Sequence, residues 1–233
     1  MGKRIIIVGI GGASCSGKTL LAKHLQRVLP GNPQILHQDD FAPREEDVPY
    51  SPKYGVQDWD DPPTAILWDD FRKTLRHVRE TGQLPEAHQS HDHLNKQIEV
   101  EVDREVTERW RDKLKSTGDI IWVVVDGFIL FWDKDVVAEL DIRIMLRVPH
   151  DLLKQRREER QVYVLQTGGV WVDPPNYFEQ IVWPAYVKAH EHLFDGGVEG
   201  KAVGDLTVVE PEDGQAGMTK AFEESCRCIA SVI

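Results

Sequence analysis

Apolar residues along this chain fall into two rhythms. Short continuous runs, "RIIIVGI" at 4–10, "QILH" at 34–37, "DIIWVVVDG" at 119–127, "LDIRIMLRV" at 140–148 and "DLTVV" at 205–209, read as buried strands. Between them, apolar residues recur three and four apart. Leu21, Ala22, Leu25, Val28 and Leu29 share one side of a helix from Lys18 to Leu29, stopped by Pro30 and Gly31. A second helical stretch, 64–82, ends at Gly82. Pro149-His150-Asp151 opens a third, helical spacing resumes from about Tyr177 to Phe194, and 217–232 forms the last helix. Strands alternating with helices predict an α/β fold with a parallel sheet flanked by helices. Residues 83–118 break the rhythm. "EAHQSHDHLNKQ" reads as a polar loop, "IEVEV" alternates like a strand, and Val106, Trp110 and Leu114 fall on one helix face. This segment reads as an insertion on a single domain spanning 1–233. "VYVLQTGGVWVDPPN" reads as a loop.

Composition narrows the partners. A net charge of −11 opposes nucleic acid or an anionic membrane as the main partner. The longest apolar stretch, "IIWVVVDGFILFW", carries Asp126 and is too short to span a bilayer, and the run Ile5 to Ile10 is too short for a secretory signal. Cys15, Cys226 and Cys228 make neither a disulfide framework nor a paired zinc motif. A reducing, cytoplasmic compartment is expected, with the nucleus also compatible.

The chemistry begins at Gly12-Ala13-Ser14-Cys15-Ser16-Gly17-Lys18-Thr19, which fits G-x-x-x-x-G-K-[ST] between a strand and a helix. Glycines let the backbone wrap a phosphate, and the helix start adds its positive end. Lys18 is placed to reach the β- and γ-phosphates and to act in catalysis, and the Thr19 hydroxyl to hold Mg²⁺. With Leu20, these residues form the expected ATP site of a P-loop NTPase fold: a five-stranded parallel sheet with a small arginine-bearing lid. Asp126, ending an apolar strand, suits a Mg²⁺ carboxylate; the plainer alternative is a turn cap. Asp39, Asp40 and Phe41 in "HQDDF" fall at the carboxyl end of a strand, where ligands gather in open parallel sheets. One carboxylate there can orient an attacking hydroxyl, or the turn is simply solvated. "QDWDDPP" sets Trp59 beside Asp60 and Asp61, either to stack a flat ring and bind sugar hydroxyls or to cap the next helix over a core Trp59. Arg156 and Arg160 share a helix face and can clamp ATP phosphates, while Arg157 points about 100° away toward the acceptor. The alternative is a solvated helix pairing them with Glu158 and Glu159. His88, His91 and His93 lie in the polar loop, and His190 and His192 are expected at the surface.

Together "GASCSGKT", "QDDF", "DWDDPPTA", "VVVDGFILF", "RREER" with "VY", and "VWVDPPNYF" resemble the nicotinamide riboside kinases, relatives of uridine kinase, from about residue 5 to 187. The resemblance implies ATP-dependent phosphorylation of the 5′-hydroxyl of nicotinamide riboside, with nicotinic acid riboside a second substrate, in NAD salvage. It implies a catalytic, metal-adjacent Asp39, Asp60 on the ribose hydroxyls, Trp59 and Tyr163 sandwiching the base, Arg156 and Arg160 on ATP, and Arg157 on the nucleoside side. Residues 150–175 would carry the lid and substrate loop, and "VEPED" at 209–213 falls where relatives contact adenine. Trp59 replaces the Tyr of many members, Asp126 replaces the Glu of animal-type members, and the insertion with one extra residue before Tyr163 resembles fungal members. The bottom-up chemistry is compatible, since two aromatic faces and nearby acids attract a pyridinium cation. Another small-molecule kinase, for uridine or cytidine, and a non-catalytic nucleotide-binding switch are the alternatives.

Overall fold

A computed structural model describes residues 4–117, 119–160 and 162–233; the end of the insertion at Gly118 and the residue just before Val162-Tyr163 lie outside them. Five parallel strands form the sheet: β1 (Arg4–Gly12), β2 (Gln34–His37), β3 (Ile120–Gly127), β4 (Ile142–Leu146) and β9 (Thr207–Val209), in the order β2-β3-β1-β4-β9. Register aligns His37 with Asp126, Gly11 with Gly127 and Gly12 with Leu146, so the carboxyl ends of four strands meet at one level.

The pleat sorts the strand residues. Ile6, Val8 and Ile10 pack with α1 (Lys18–Val28), α3 (Arg104–Leu114) and α7 (Gly214–Val232), through Leu21, Leu25, Trp110, Phe222 and Ile229. Ile7 faces the other layer, built on α2 (Trp68–Thr81), α4 (Lys134–Ala138) and α6 (Trp183–His190), with Phe71, Leu75, Val136 and Tyr186 buried there. Each such large side chain contributes roughly 1.5–3 kcal/mol on burial. The capping rules act where the sequence supplies them. Asp103 accepts from the Glu105 and Val106 backbone N–H groups at the start of α3, and Asp133 from Val136 N–H in α4.

Four local expectations change. "IEVEV" joins no strand; the Val100 carbonyl bonds the ring of His24 at 2.8 Å and Val102 is buried beside α1, so the segment runs along a helix instead of a sheet edge. The loop at 162–176 contains an antiparallel hairpin, β5 (Val162–Val164) with β6 (Val170–Val172), because valines alternate with Tyr163 and Trp171 around "QTGG". The helix after Tyr177 opens with a π-helical turn, Phe178–Val182, and Phe194 leaves it for a two-residue ladder, β7 (Phe194–Asp195) with β8 (Lys201–Ala202). His190, expected at the surface, is fully buried, because its place on α6 sets it against Tyr186 with ring centroids 4.6 Å apart.

His190 Nδ1 lies 2.8 Å from the Tyr186 carbonyl, so the ring is neutral with its proton there. Burial is the main cause pulling its pKa down to about 4. An unfolded chain binds this proton below about pH 6.5 and the folded chain only near pH 4, so stability falls with acidification across that interval. The slope approaches about 1.4 kcal/mol per pH unit. Thermal unfolding from pH 7 downward should show this decline, and His190→Leu should flatten it; an unchanged slope in the variant would assign it elsewhere.

Candidate active site

The loop between β1 and α1 is set by two glycines. Gly12 (φ +154°) and Gly17 (φ +91°) hold backbone angles that other residues rarely adopt, and a Cβ at Gly12 would lie 2.7 Å from Ser16 Oγ and 2.8 Å from the Leu146 carbonyl oxygen. Cys15 also takes a left-handed φ of 65°. Among the described residues, Ser16 Oγ is buried with no hydrogen-bond partner and the Lys18 ammonium, itself buried, reaches only the Ala13 carbonyl at 3.5 Å. One unpartnered donor and one held by a single long contact, inside a glycine loop at a helix N-terminus, suit a phosphate.

Beside the loop, Asp126 is locked from both sides. Thr19 Oγ1 donates to its Oδ2 at 2.5 Å and His37 Nδ1 lies 2.6 Å from its Oδ1. Burial opposes charge on both members, yet their mutual hydrogen bond and attraction dominate: His37 is pushed up to about 9 and Asp126 is held below the usual carboxylate range. The pair is therefore imidazolium and carboxylate at neutral pH. The sequence reading missed His37, although its place at the strand end opposite Asp126 was the available signal.

Asp39 follows β2 in a short 3₁₀ turn, Gln38–Phe41, and stands open to the cleft. Protein crowding around its carboxylate raises its pKa; Lys18 opposes the rise, Asp126 adds to it, and His37 and Arg160 oppose it further. Asp40 points elsewhere. Its carboxylate is buried, accepts the His91 backbone N–H at 2.8 Å, and lies 3.4 Å from His88 Nε2 and 3.5 Å from His91 Nδ1. His88 stacks on Phe41, which is buried in the core against Phe71. The polar loop expected at 86–97 is thus pinned to the turn that carries Asp39.

Farther along the cleft, Asp60 is buried and its pKa is pushed up to about 6, by burial first and then by Asp173, Asp58 and Asp39, against Arg157. Asp58, not Asp61, makes the local turn, accepting from the Asp60 and Asp61 backbone N–H groups at 3.2 and 2.9 Å. Asp61 pairs with Lys188, and the helix starts only at Trp68.

The three arginines of α5 (His150–Arg160) diverge. Arg156 donates to the Cys15 carbonyl at 3.2 Å and pairs with Asp213, joining the phosphate loop to the "VEPED" segment. Arg157 is buried and gripped by Asp173, Nε to Oδ2 at 2.5 Å and Nη2 to Oδ1 at 3.0 Å, with Asp60 Oδ2 at 4.0 Å. Arg160 lies over the Tyr163 ring at 4.2 Å. Among the described residues none of them pairs with Glu158 or Glu159.

The two rings expected to sandwich the base have different neighbours. Arg157 and Arg160 face the Tyr163 ring, whose hydroxyl lies 3.7 Å from Cys15 Sγ, while the ring beside Trp59 is Trp171, 5.8 Å away and tilted 58°. Tyr177 supports both: its hydroxyl accepts from Trp59 N–H at 3.1 Å and donates to the Gln57 carbonyl at 2.9 Å. Trp171, Asp173 and Tyr177 were missed as individual site residues. The segment "VWVDPPNYF" held them, but their roles depend on the hairpin that brings it back over α5.

A phosphate cradle facing a second wall of carboxylates serves a kinase, whereas a switch has no need of that wall. The fold and site define a P-loop kinase, and the model of the phosphoribulokinase / uridine kinase family matches residues 7–163. A nicotinamide riboside kinase of Schizosaccharomyces pombe is 36% identical, with 91% of this chain and 90% of that protein covered. That of Saccharomyces cerevisiae is 35% identical over 85% of this chain and 83% of its own. Among solved structures, a sugar kinase from Janibacter shares the fold alone, with TM-score 0.50 at 11% identity over 99% of this chain and 98% of that one. The chain belongs to the nicotinamide riboside kinase family.

Proposed function

We propose that this protein transfers the γ-phosphoryl group of ATP to the 5′-hydroxyl of nicotinamide riboside, and of nicotinic acid riboside as a second acceptor, feeding NAD salvage. The observation that carries this reading is the acceptor wall itself. Asp60 and Asp173 flank the guanidinium of Arg157, with Asp58 close to Asp60, beside Trp59, Trp171 and Tyr177. Two carboxylates around Arg157, next to aromatic faces, favour a flat positive ring with a sugar. Asp60 is placed to accept from sugar hydroxyls, and Asp39 to align the attacking hydroxyl. Lys18 and the loop N–H groups would hold the phosphates, with Arg156 and Arg160 closing over ATP.

The donor set fits Mg²⁺. Thr19, Asp126 and Asp39 offer hard oxygen ligands, and Thr19 already touches Asp126. When bound, the ion would neutralise phosphate charge. No described helix is long and apolar enough to cross a membrane. The three unpaired cysteines suit a reducing, cytoplasmic setting, and the partner of this reading is the nucleoside itself.

The test is ADP release with Mg-ATP and nicotinamide riboside, nicotinic acid riboside, uridine, cytidine or no acceptor. Release driven by the pyridine ribosides is expected. Release with uridine or cytidine alone would reassign the acceptor, and ATP binding without acceptor-dependent release would turn the reading to a switch.

A further inference from the structure

Arg157 poses a problem for the acceptor wall. A buried guanidinium 4.0 Å from Asp60 Oδ2 has every electrostatic reason to close that distance. Direct pairing would consume the lone pairs that a sugar hydroxyl needs. At 4.0 Å the two attract as charges without a hydrogen bond, and a different carboxylate takes the guanidinium's donors. Asp173 grips Arg157 in bidentate fashion, and Trp171 Nε1 donates to the same carboxylate at 2.8 Å. Tyr163 and Tyr177 flank the guanidinium, at 4.9 and 5.6 Å from their ring centroids. Trp171 also packs against Trp59 and Tyr177, so the indole that orients Asp173 is part of the acceptor wall.

We infer that Asp173 is a positioning residue: it holds Arg157 off Asp60, and Trp171 orients it, so that Asp60 remains free to bind the acceptor. The carboxylate stands one residue past β6, so the hairpin of β5 with β6 sets the path that brings it to Arg157 on α5. The inference rests on the acceptor reading above, and on Asp60 as its hydroxyl acceptor.

The charges facing Asp60 are Arg157 on α5, Asp173 after β6, Asp58 in its own turn, Asp39 after β2, and the Tyr177 hydroxyl. In the native arrangement the acidic limb of kcat/KM for the acceptor should fall near pH 6, where Asp60 titrates. Asp173→Asn removes the competing charge while keeping its shape. Arg157 then turns to Asp60, whose ionised form becomes easier to reach but is already occupied. The acidic limb should move down by about one pH unit or more. At neutral pH, KM for the acceptor should rise about tenfold, while kcat and KM for ATP change less than about threefold.

Asp173→Glu should restore both values at least in part. Trp171→Phe keeps the ring and deletes the N–H, and should shift both in the same direction by less; it decides the matter if Asp173→Asn does not fold. An unmoved limb with unchanged KM in these variants, or a fall in kcat alone, would overturn the inference. If the unmodified enzyme prefers uridine, the acceptor reading fails, and the same profiles taken with uridine still test the hold on Arg157.

Discussion

Asp39→Ala should fold, bind ATP as before, and transfer phosphate to the acceptor about 10²–10⁴-fold more slowly. The separation of folding from turnover follows from the surroundings of Asp39. Among the described residues its carboxylate takes no hydrogen-bond partner, and it faces the negative charge of Asp126. Burial disfavours its charge first, with the attraction of Lys18 opposing and the repulsion of Asp126 adding, so its removal should leave the melting temperature level or slightly raised. On the proposed reading ATP would be held by the loop and Lys18, which the substitution leaves in place. The loss therefore belongs to alignment and proton acceptance at the attacking hydroxyl. Asp39→Asn separates these two roles. It can still position a hydroxyl but cannot take its proton, so it should retain more activity than alanine if alignment dominates, as a loose phosphoryl-transfer transition state favours. The measurements are acceptor-dependent ADP release and ATP affinity by titration calorimetry. Near-normal turnover in Asp39→Ala would remove this residue from the reaction.

How far such a site can be found without coordinates depends on whether its residues are local. The phosphate loop is contiguous, and its conformational demands fall on glycines, so residue type alone announces it. The sheet is equally legible, because "RIIIVGI" and "VVVDG" leave no other way to bury a doubly apolar strand. The acceptor wall is not local. Asp60, Arg157 and Asp173 meet from three segments, and only the hairpin of Val162–Val164 with Val170–Val172 brings the third to the other two. The alternation that makes this hairpin is three residues long on each side, within reach of a loop reading. Asp40 shows the reverse error. It neighbours Asp39 in sequence, yet a short 3₁₀ turn sends adjacent side chains in different directions, and two histidines from the insertion receive it. His190 escaped for the same reason. Its neighbours Glu191 and His192 are polar, but the helix face decides burial, not the neighbours.

Lys18→Met should lower turnover by about 10²–10³-fold or more, with a smaller loss of ATP affinity. The methionine retains the length of the stem and deletes the charge, so the effect isolates electrostatics. Three observations set its size. The ammonium is buried, its contact within the loop is a long 3.5 Å approach to the Ala13 carbonyl, and it bears on both Asp39 and Asp126, lowering the pKa of each. Its attraction is thus free to follow the phosphoryl group. Its loss also leaves the Asp39 carboxylate less opposed in its upward shift. Asp126 is cushioned, since His37 and Thr19 still hold it, and the fold should survive. Gly12→Ala offers the contrast. A Cβ there meets Ser16 and the Leu146 carbonyl, so the cradle itself is deformed and ATP binding should be lost together with turnover. Steady-state kinetics over pH, with ATP affinity measured separately, distinguishes the two. If Lys18→Met retained turnover within about tenfold of the unmodified enzyme, the lysine would serve the loop's structure and the charge stabilisation would have to come from the arginines of α5.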